Sequence, residues 1–188
     1  MTESLRDQLR ELYEELRGDV RERWNRDLPL EELLFDRWER ARSLGFGDGS
    51  SIYHNSYVYG DVKVGRNTWI GPFTLLDGSG GLTIGDGCSI SSGVQIYSHD
   101  TVRWAVSAGT ADPERGPVEI GDFTYVGSQT VVGRGVTIGE RAVIGACSFV
   151  NRDIPAYTVA VGVPCRPIGT VKIGKDGAVE LQYPAARP

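Results

Sequence analysis

Apolar positions divide the chain into three stretches with different periods. Residues 3–24 carry apolar side chains at steps of three and four, which predicts an amphipathic helix. A second helix is predicted from Pro29, a first-turn proline, to Gly45, a glycine suited to a helix C-terminus. From Ile52 to Pro167 the period changes to six residues, and beyond it two short apolar runs flank a Gly-Lys-Asp-Gly turn that predicts a hairpin.

The six-residue period is carried by one aliphatic residue in each unit, very often followed by glycine. A six-residue unit suits one short strand and one corner, and three units make one triangular coil. The aliphatic positions would then stack inside a prism. They are Ile52, Val58, Val64, Ile70, Leu76, Ile84, Ile90, Ile96, Ile120, Val126, Val132, Ile138, Ile144 and Val150. The sequence therefore predicts an all-β fold, a parallel β-helix of about five triangular coils behind an N-terminal helical extension.

Three domain-level segments follow from these periods. We assign residues 1–46 to a two-helix extension, residues 47–168 to the β-helix domain and residues 169–188 to a C-terminal hairpin and tail. The repeat is interrupted once at length, by a loop at 97–119. Loops on a rigid scaffold carry function disproportionately, so this loop is the first place to look for a site.

The repeat arithmetic assigns each unit to one of three faces. Face one holds Ile52, Ile70, Ile90, Val126 and Ile144; face two holds Val58, Leu76, Ile96, Val132 and Val150; face three holds Val64, Ile84 and Ile120. Leu76 then lies directly below Ile96, which places Asp77 below Tyr97 at the corner where the loop leaves. We therefore expect Asp77 close to His99. A carboxylate beside an imidazole fixes its tautomer and stabilises the imidazolium, which makes His99 a candidate general base.

Two other loop residues are candidates with two interpretations each. Asp100 either caps the loop or contacts an acceptor molecule. Trp104 either anchors the loop by packing or forms an apolar wall for a sugar ring. The other histidine, His54, lies in the first coil and is interpreted as structural.

Composition excludes several classes of function. The net charge is −5 without a basic stripe, which argues against nucleic-acid binding. No apolar run reaches about 18 residues, so no membrane span is expected. The N-terminus lacks a secretion signal, and the three cysteines show no CxxC spacing. A cytoplasmic protein without disulfides and without a metal site is the expectation.

The repeat resembles the hexapeptide-repeat acyltransferase superfamily over about residues 52–168. The segments that carry the resemblance are Ile120–Ser128, Gly135–Gly139, Ile144–Ser148, Gly162–Ile168 and Tyr97–Asp100. They are similar to maltose and galactoside acetyltransferases and to polysaccharide O-acetyltransferases. The resemblance implies a left-handed helix, a homotrimer with sites between subunits, acetyl-CoA as co-substrate and His99 as catalytic base.

The resemblance also directs attention to a CoA site. Ser128 and Ala146 lie at the corner after face one, where small side chains would leave a groove for a pantetheine arm. Asn151, Arg152 and Arg166 lie near the C-terminal end of the prism, where CoA phosphates would need positive charge. The acceptor is expected to be a sugar or nucleotide sugar, with Asp77, Asp100 and Trp104 as candidate contacts, in polysaccharide biosynthesis.

Three alternatives remain at this point. The first is N-acetylation of a nucleotide-linked amino sugar on the same scaffold. The second is a zinc-dependent carbonic anhydrase on a similar prism, which two histidines in the whole chain nearly exclude because three are needed for each metal. The third is a non-catalytic structural β-helix subunit, which offers no reason for a histidine-bearing loop.

Overall fold

Three helices precede the repeat in the structure, a computed structural model that describes residues 4–184. They are α1 (Leu5–Trp24), α2 (Leu30–Leu34) and α3 (Arg37–Ser43). The sequence predicts one helix where the structure has α2 and α3. Phe35 is extended between them, and the Asp36 carboxylate starts α3 by accepting hydrogen bonds from the amides of Trp38 and Glu39. None of the helices in this part of the chain is long and apolar enough to cross a membrane.

The helical segment is tied to the first coil by two charged side chains. The Glu32 carboxylate accepts a hydrogen bond of 2.6 Å from the amide of His54. The Arg40 guanidinium donates to the carbonyl of Tyr53 and, at 2.7 Å, to that of Ser56. Burial lowers the pKa of Arg40, and the nearby Glu32 carboxylate opposes this. The helices are thus held against the first corner of the prism by charged groups that bind its backbone.

The remaining chain forms short strands and one further helix, α4. The strands are β1 (Ser51–Ile52), β2 (Tyr57–Val64), β3 (Trp69–Ile70), β4 (Leu75–Ile84), β5 (Ser89–Ile90), β6 (Gln95–Tyr97), β7 (His99–Asp100), β8 (Glu114–Arg115), β9 (Val118–Ile120), β10 (Tyr125–Val126), β11 (Val131–Val132), β12 (Thr137–Ile138), β13 (Val143–Ile144), β14 (Phe149–Val150), β15 (Thr158–Val161), β16 (Arg166–Ile173) and β17 (Val179–Gln182), with α4 (Val102–Val106) between β7 and β8.

The strand registers confirm the predicted faces. Parallel partners on face one run Ile52, Ile70, Ile90, Val126, Ile144 and Ala160. On face two they run Val58, Leu76, Ile96, Val132 and Val150. On face three they run Val64, Ile84, Ile120, Ile138 and Ile154. The chain therefore makes five full turns and begins a sixth, as the prediction of about five triangular coils requires.

The interior of the prism is filled by aliphatic ladders and by small polar side chains at the corners. Ile96 and Leu76 are fully buried, and each such side chain contributes about 1.5–3 kcal/mol by leaving water. Buried threonines satisfy backbone carbonyls: Thr68 donates to Gly85 at 2.7 Å and Thr130 to Gly145 at 3.0 Å. These two threonines thus fill narrow corner space while hydrogen-bonding the next turn.

Antiparallel strands end the prism. β15 pairs with β16, and β16 pairs with β17 across a turn in which Gly177 has a φ of 82°. The predicted C-terminal hairpin is present. Most of the predicted tail lies outside the described residues.

Candidate active site

The His99 loop leaves the prism at the corner between faces two and three. It is a short hairpin: His99 pairs with Arg115 and Asp100 with Glu114 in antiparallel register. Helix α4 lies between these strands. At the base of the hairpin the Gly116 amide donates to the carbonyl of Ser98 at 2.9 Å, which closes it against the prism.

Asp77 and His99 are in direct contact, as the repeat arithmetic predicts. Asp77 is the parallel partner of Tyr97. The distance from its Oδ2 to the Nδ1 of His99 is 2.5 Å. The register between β2 and β4 shifts at this corner, since Gly60 pairs with Gly78 but Val62 pairs with Leu82. The two additional residues in β4 form a bulge beneath the loop.

The Asp77 carboxylate is buried and surrounded by hydrogen-bond donors. Its residue exposure is 1%. It accepts hydrogen bonds from the amides of Ser79 and Ser98, each at 3.0 Å, besides its contact with His99. Burial raises its pKa, but hydrogen bonds from Ser79, His99 and Ser98 outweigh burial and lower the pKa to about 2. Asp77 is therefore an anion at neutral pH.

The charge of Asp77 determines the tautomer of His99. An ionised carboxylate only accepts hydrogen bonds, so the Nδ1 of His99 carries the proton and donates it to Asp77. In the neutral imidazole Nε2 then has a free lone pair. The side chain of His99 is 36% exposed, which leaves it accessible from solvent. An imidazole oriented in this way by a buried carboxylate can accept a proton at Nε2.

A clamp that we did not predict holds the loop from the next turn of the prism. Arg134 donates from Nε to Asp100 at 2.5 Å and from Nη2 to Glu114 at 2.7 Å. It therefore binds both strands of the hairpin, one residue from His99. These contacts lower the pKa of Asp100, chiefly through the hydrogen bond from Arg134. The repeat arithmetic could have placed Arg134 at this corner, because Val132 pairs with Ile96 on face two, but it does not predict the contacts with Asp100 and Glu114.

The corner after face one has the small residues expected of a groove. Ser128 and Ala146 lie one turn apart, because Val126 pairs with Ile144. A Cβ on Gly127 would lie 2.5 Å from the amide nitrogen of Ala146, so the two turns approach too closely for a side chain there. In a single chain this corner is distinct from the corner that carries His99.

Comparison with known proteins identifies the repeat. Residues 117–152 match the family described as bacterial transferase hexapeptide (six repeats). The galactoside O-acetyltransferase of Escherichia coli (strain K12) is 37% identical over 116 residues, which are 60% of this chain and 56% of that protein. The repeat of this chain is therefore similar to that of hexapeptide-repeat transferases. The chain spans about half the length of the curated relatives it matches.

Two solved structures resemble this chain along most of its length. A galactoside acetyltransferase in complex with coenzyme A has a TM-score of 0.60 and 28% identity, covering 89% of this chain and 84% of that one. A maltose O-acetyltransferase from Clostridium difficile 630 has a TM-score of 0.57 and 28% identity, covering 88% and 89%. The hexapeptide repeat implies the left-handed sense of the β-helix.

The remaining candidate residues for CoA phosphates lie after β14 and at the start of β16. Asn151 and Arg152 are exposed directly after β14. Arg166 begins β16, and its Nη1 donates to the carbonyl of Cys165 at 2.6 Å. All three lie toward the C-terminal end of the prism. Val150 pairs with Val132 on face two, so Asn151 and Arg152 follow at the corner that carries Arg134, one turn further along the prism.

The two loop candidates differ from each other in their surroundings. The Asp100 carboxylate accepts from Arg134 and, at 3.0 Å, from the amide of Val102, so the contacts observed are those of a loop cap. Trp104 is 50% exposed on α4, so it does not anchor the loop by burial.

His54 lies against Phe35, with ring centroids 5.2 Å apart, in the first coil. Within residues 4–184 no group of three or more His, Cys, Asp or Glu is placed to hold a metal ion.

Proposed function

We propose that the protein transfers an acetyl group from acetyl-CoA to a hydroxyl of a sugar or polysaccharide precursor. The observation that carries the proposal is the contact between two residues. His99 lies in the hairpin that leaves the repeat, and the buried, ionised Asp77 lies in β4 beneath it. A structural subunit has no need for an ionised carboxylate at 1% exposure that orients an accessible imidazole. The similarity to galactoside and maltose O-acetyltransferases supports the reaction class.

His99 acts as general base through Nε2. As the acceptor oxygen attacks the thioester carbonyl, Nε2 takes the proton of the acceptor hydroxyl. Asp77 stabilises the resulting imidazolium through Nδ1. The tetrahedral intermediate then collapses, the C–S bond breaks, and the imidazolium returns the proton to the leaving CoA sulfur. A positioned base of this kind contributes about 10²–10⁴-fold to the rate.

Acetyl-CoA binds along the corner after face one. The pantetheine arm lies over Ser128 and Ala146, where the turns carry small side chains. Asn151, Arg152 and Arg166 contact the phosphates, because guanidinium groups suit bidentate phosphate recognition. That corner and the His99 corner are different edges of one prism. The proposal therefore requires a homotrimer in which an edge of one chain faces an edge of the next, with one site at each junction.

Free-thiol release from acetyl-CoA tests the proposal directly. Purified protein is assayed with sugars, nucleotide sugars and amino sugars, wild type beside His99→Asn. Asparagine can still donate a hydrogen bond to Asp77 but supplies no base, so turnover should fall about 100-fold or more while CoA affinity is retained. His54→Gln, which changes the histidine of the first coil, is the matched control and should retain turnover.

Two results would contradict the proposal. Undiminished turnover in His99→Asn would remove His99 as the base. Absence of CoA binding by calorimetry in the wild-type protein would remove the transferase itself. Sedimentation equilibrium on the same samples should give the mass of three chains, and a monomer that turns over would refute sites between subunits.

A further inference from the structure

Two adjacent cavities form a groove from the N-terminal helices along the outer surface of face one. Its lower part is a cavity of about 500 Å³ between α1 and the α2–α3 segment. Its upper part, about 430 Å³, passes Trp69 and reaches the corner at Ser128. The two parts share Arg26, Arg37, Trp38 and Tyr53 in their lining, so they lie next to each other. Its size falls in the range of small-molecule sites, about 300–1,000 Å³.

The upper part of this groove combines cations, hydroxyls and aromatic rings. Within residues 4–184 its lining includes two arginines and no aspartate or glutamate. Several serines at the outward positions of face one and its corner supply hydroxyls, and the aromatic residues supply flat walls. The carboxylates of the lining belong to the lower cavity and are those of Asp19, Glu32, Asp36 and Glu39. Asp36 caps α3 and Glu32 accepts hydrogen bonds from the first coil, so the upper part of the groove is the part suited to an anion.

Arg37 is the best-positioned cation of the groove. Its guanidinium lies 4.2 Å from the ring centroid of Trp38 and 5.1 Å from that of Tyr53. Its Nη1 donates to the Tyr53 hydroxyl at 2.9 Å. In the described part of the chain no carboxylate lies within ion-pair distance of it. The orientation of the guanidinium is thus set by two aromatic rings and its charge is not neutralised, which suits it to bind an anion.

We propose that this groove, with Arg37 and Arg26 as its cations, binds an acceptor sugar that carries a phosphate or carboxylate group. The proposal rests on the proposed function, because it names the acceptor class of that reaction. Stacking on an aromatic ring and hydrogen bonds from serines recognise the neutral sugar ring, whereas the arginines recognise the charge. The groove ends at Ser128, on the corner where the pantetheine arm is proposed to lie. An acceptor in the groove and the acetyl group of acetyl-CoA would therefore meet near that corner.

Equilibrium binding of three related sugars tests the inference without any turnover. Glucose, glucose 1-phosphate and glucuronic acid are titrated into the full chain by calorimetry, with quenching of tryptophan fluorescence as a second signal. At least one of the two anionic sugars should bind about tenfold or more tightly than glucose, and which one does so distinguishes phosphate from carboxylate. Arg37→Gln should lose that preference, whereas Arg42→Gln, which removes an exposed arginine of the same helix, should retain it.

The results of the sugar-binding experiment can be distinguished from those of the CoA-binding and turnover experiments. Equal binding of charged and neutral sugars, no binding of either anionic sugar, or an equal loss in both arginine variants would overturn the inference. If Arg37→Gln does not fold, as judged by circular dichroism, Arg37→Lys carries the test, because it retains the charge and should retain part of the preference. CoA binding is measured separately, so loss of the transferase proposal with sugar binding intact leaves the groove assignment standing.

Discussion

Replacing Asp77 by asparagine removes a charge that the fold keeps buried. The carboxylate is 1% exposed and accepts hydrogen bonds from Ser79, Ser98 and His99. Asparagine has nearly the same shape, but it has one acceptor oxygen where the carboxylate has two. At least one of the three donors therefore loses its partner or faces the NH₂ group of the new side chain.

The expected loss in the free energy of unfolding follows from the pKa of Asp77. Hydrogen bonds lower this pKa from 3.8 to about 2, although burial raises it. A lowering of this size corresponds to about 2 kcal/mol of folding free energy. Because the pKa is lower in the folded state, this contribution is fully present above about pH 4 and is lost as the pH falls through about 2. The variant should thus be less stable than wild type by about 2 kcal/mol at pH 7, and this difference should shrink between about pH 4 and pH 2.

Urea unfolding followed by circular dichroism at fixed protein concentration measures the difference at pH 7 and at pH 3. Asp61→Asn is the matched control. The Asp61 side chain is 69% exposed and lies 3.4 Å from Lys63, so its replacement should cost less than about 1 kcal/mol at either pH. The Asp77 variant should also turn over more slowly, since His99 loses the anion that stabilises its imidazolium.

A difference below about 0.5 kcal/mol at pH 7 would refute the argument, because variation of that size is expected from surface substitutions. A difference that stays constant as the pH falls to 3 would refute it as well. That result would show that the carboxylate contributes through shape and packing and not through its charge.

Three further predictions concern the His99 loop, the corner after face one and the thiols. Arg134→Met should speed amide hydrogen exchange within residues 98–116 and leave the prism unchanged; mass spectrometry showing wild-type exchange there would contradict the clamp. Gly127→Val should destabilise by about 1–3 kcal/mol and weaken CoA binding, because its Cβ would meet the next turn, whereas Gly18→Ala, with open space around it, should raise the melting temperature. In native protein one thiol per chain, Cys147, should react quickly with Ellman's reagent, since the other two cysteines are buried and burial raises their pKa; fast reaction of three thiols would contradict the fold.

The prism could be predicted because its signal is repeated. An aliphatic residue every six positions has one consistent arrangement in which all of these side chains leave water, so each unit supports the assignment of the others. The same arithmetic placed Asp77 below Tyr97 and so predicted its contact with His99. Strand registers can be counted from sequence wherever the repeat is uninterrupted.

The helical segment after Pro29, which has no six-residue repeat, was predicted less well. Leucines at steps of three and four favoured one helix after Pro29, but the Asp36 carboxylate binds the amides of Trp38 and Glu39 and starts a second helix. The preference of an aspartate for a helix N-terminus competes with helix continuation, and the balance depends on how the segment packs.

The sequence by itself determined the β-helix, its faces, the position of the loop and the pairing of Asp77 with His99, because hydrophobic periodicity determines which residues must be buried. Only the tertiary structure decided that Arg134 clamps the loop, that Asp100 is part of that clamp, and that Arg37 lies between aromatic rings in a groove beside the helices. These contacts join side chains from separate elements at the surface. Their geometry depends on side-chain rotamers and on the docking of helices, which no period in the sequence encodes.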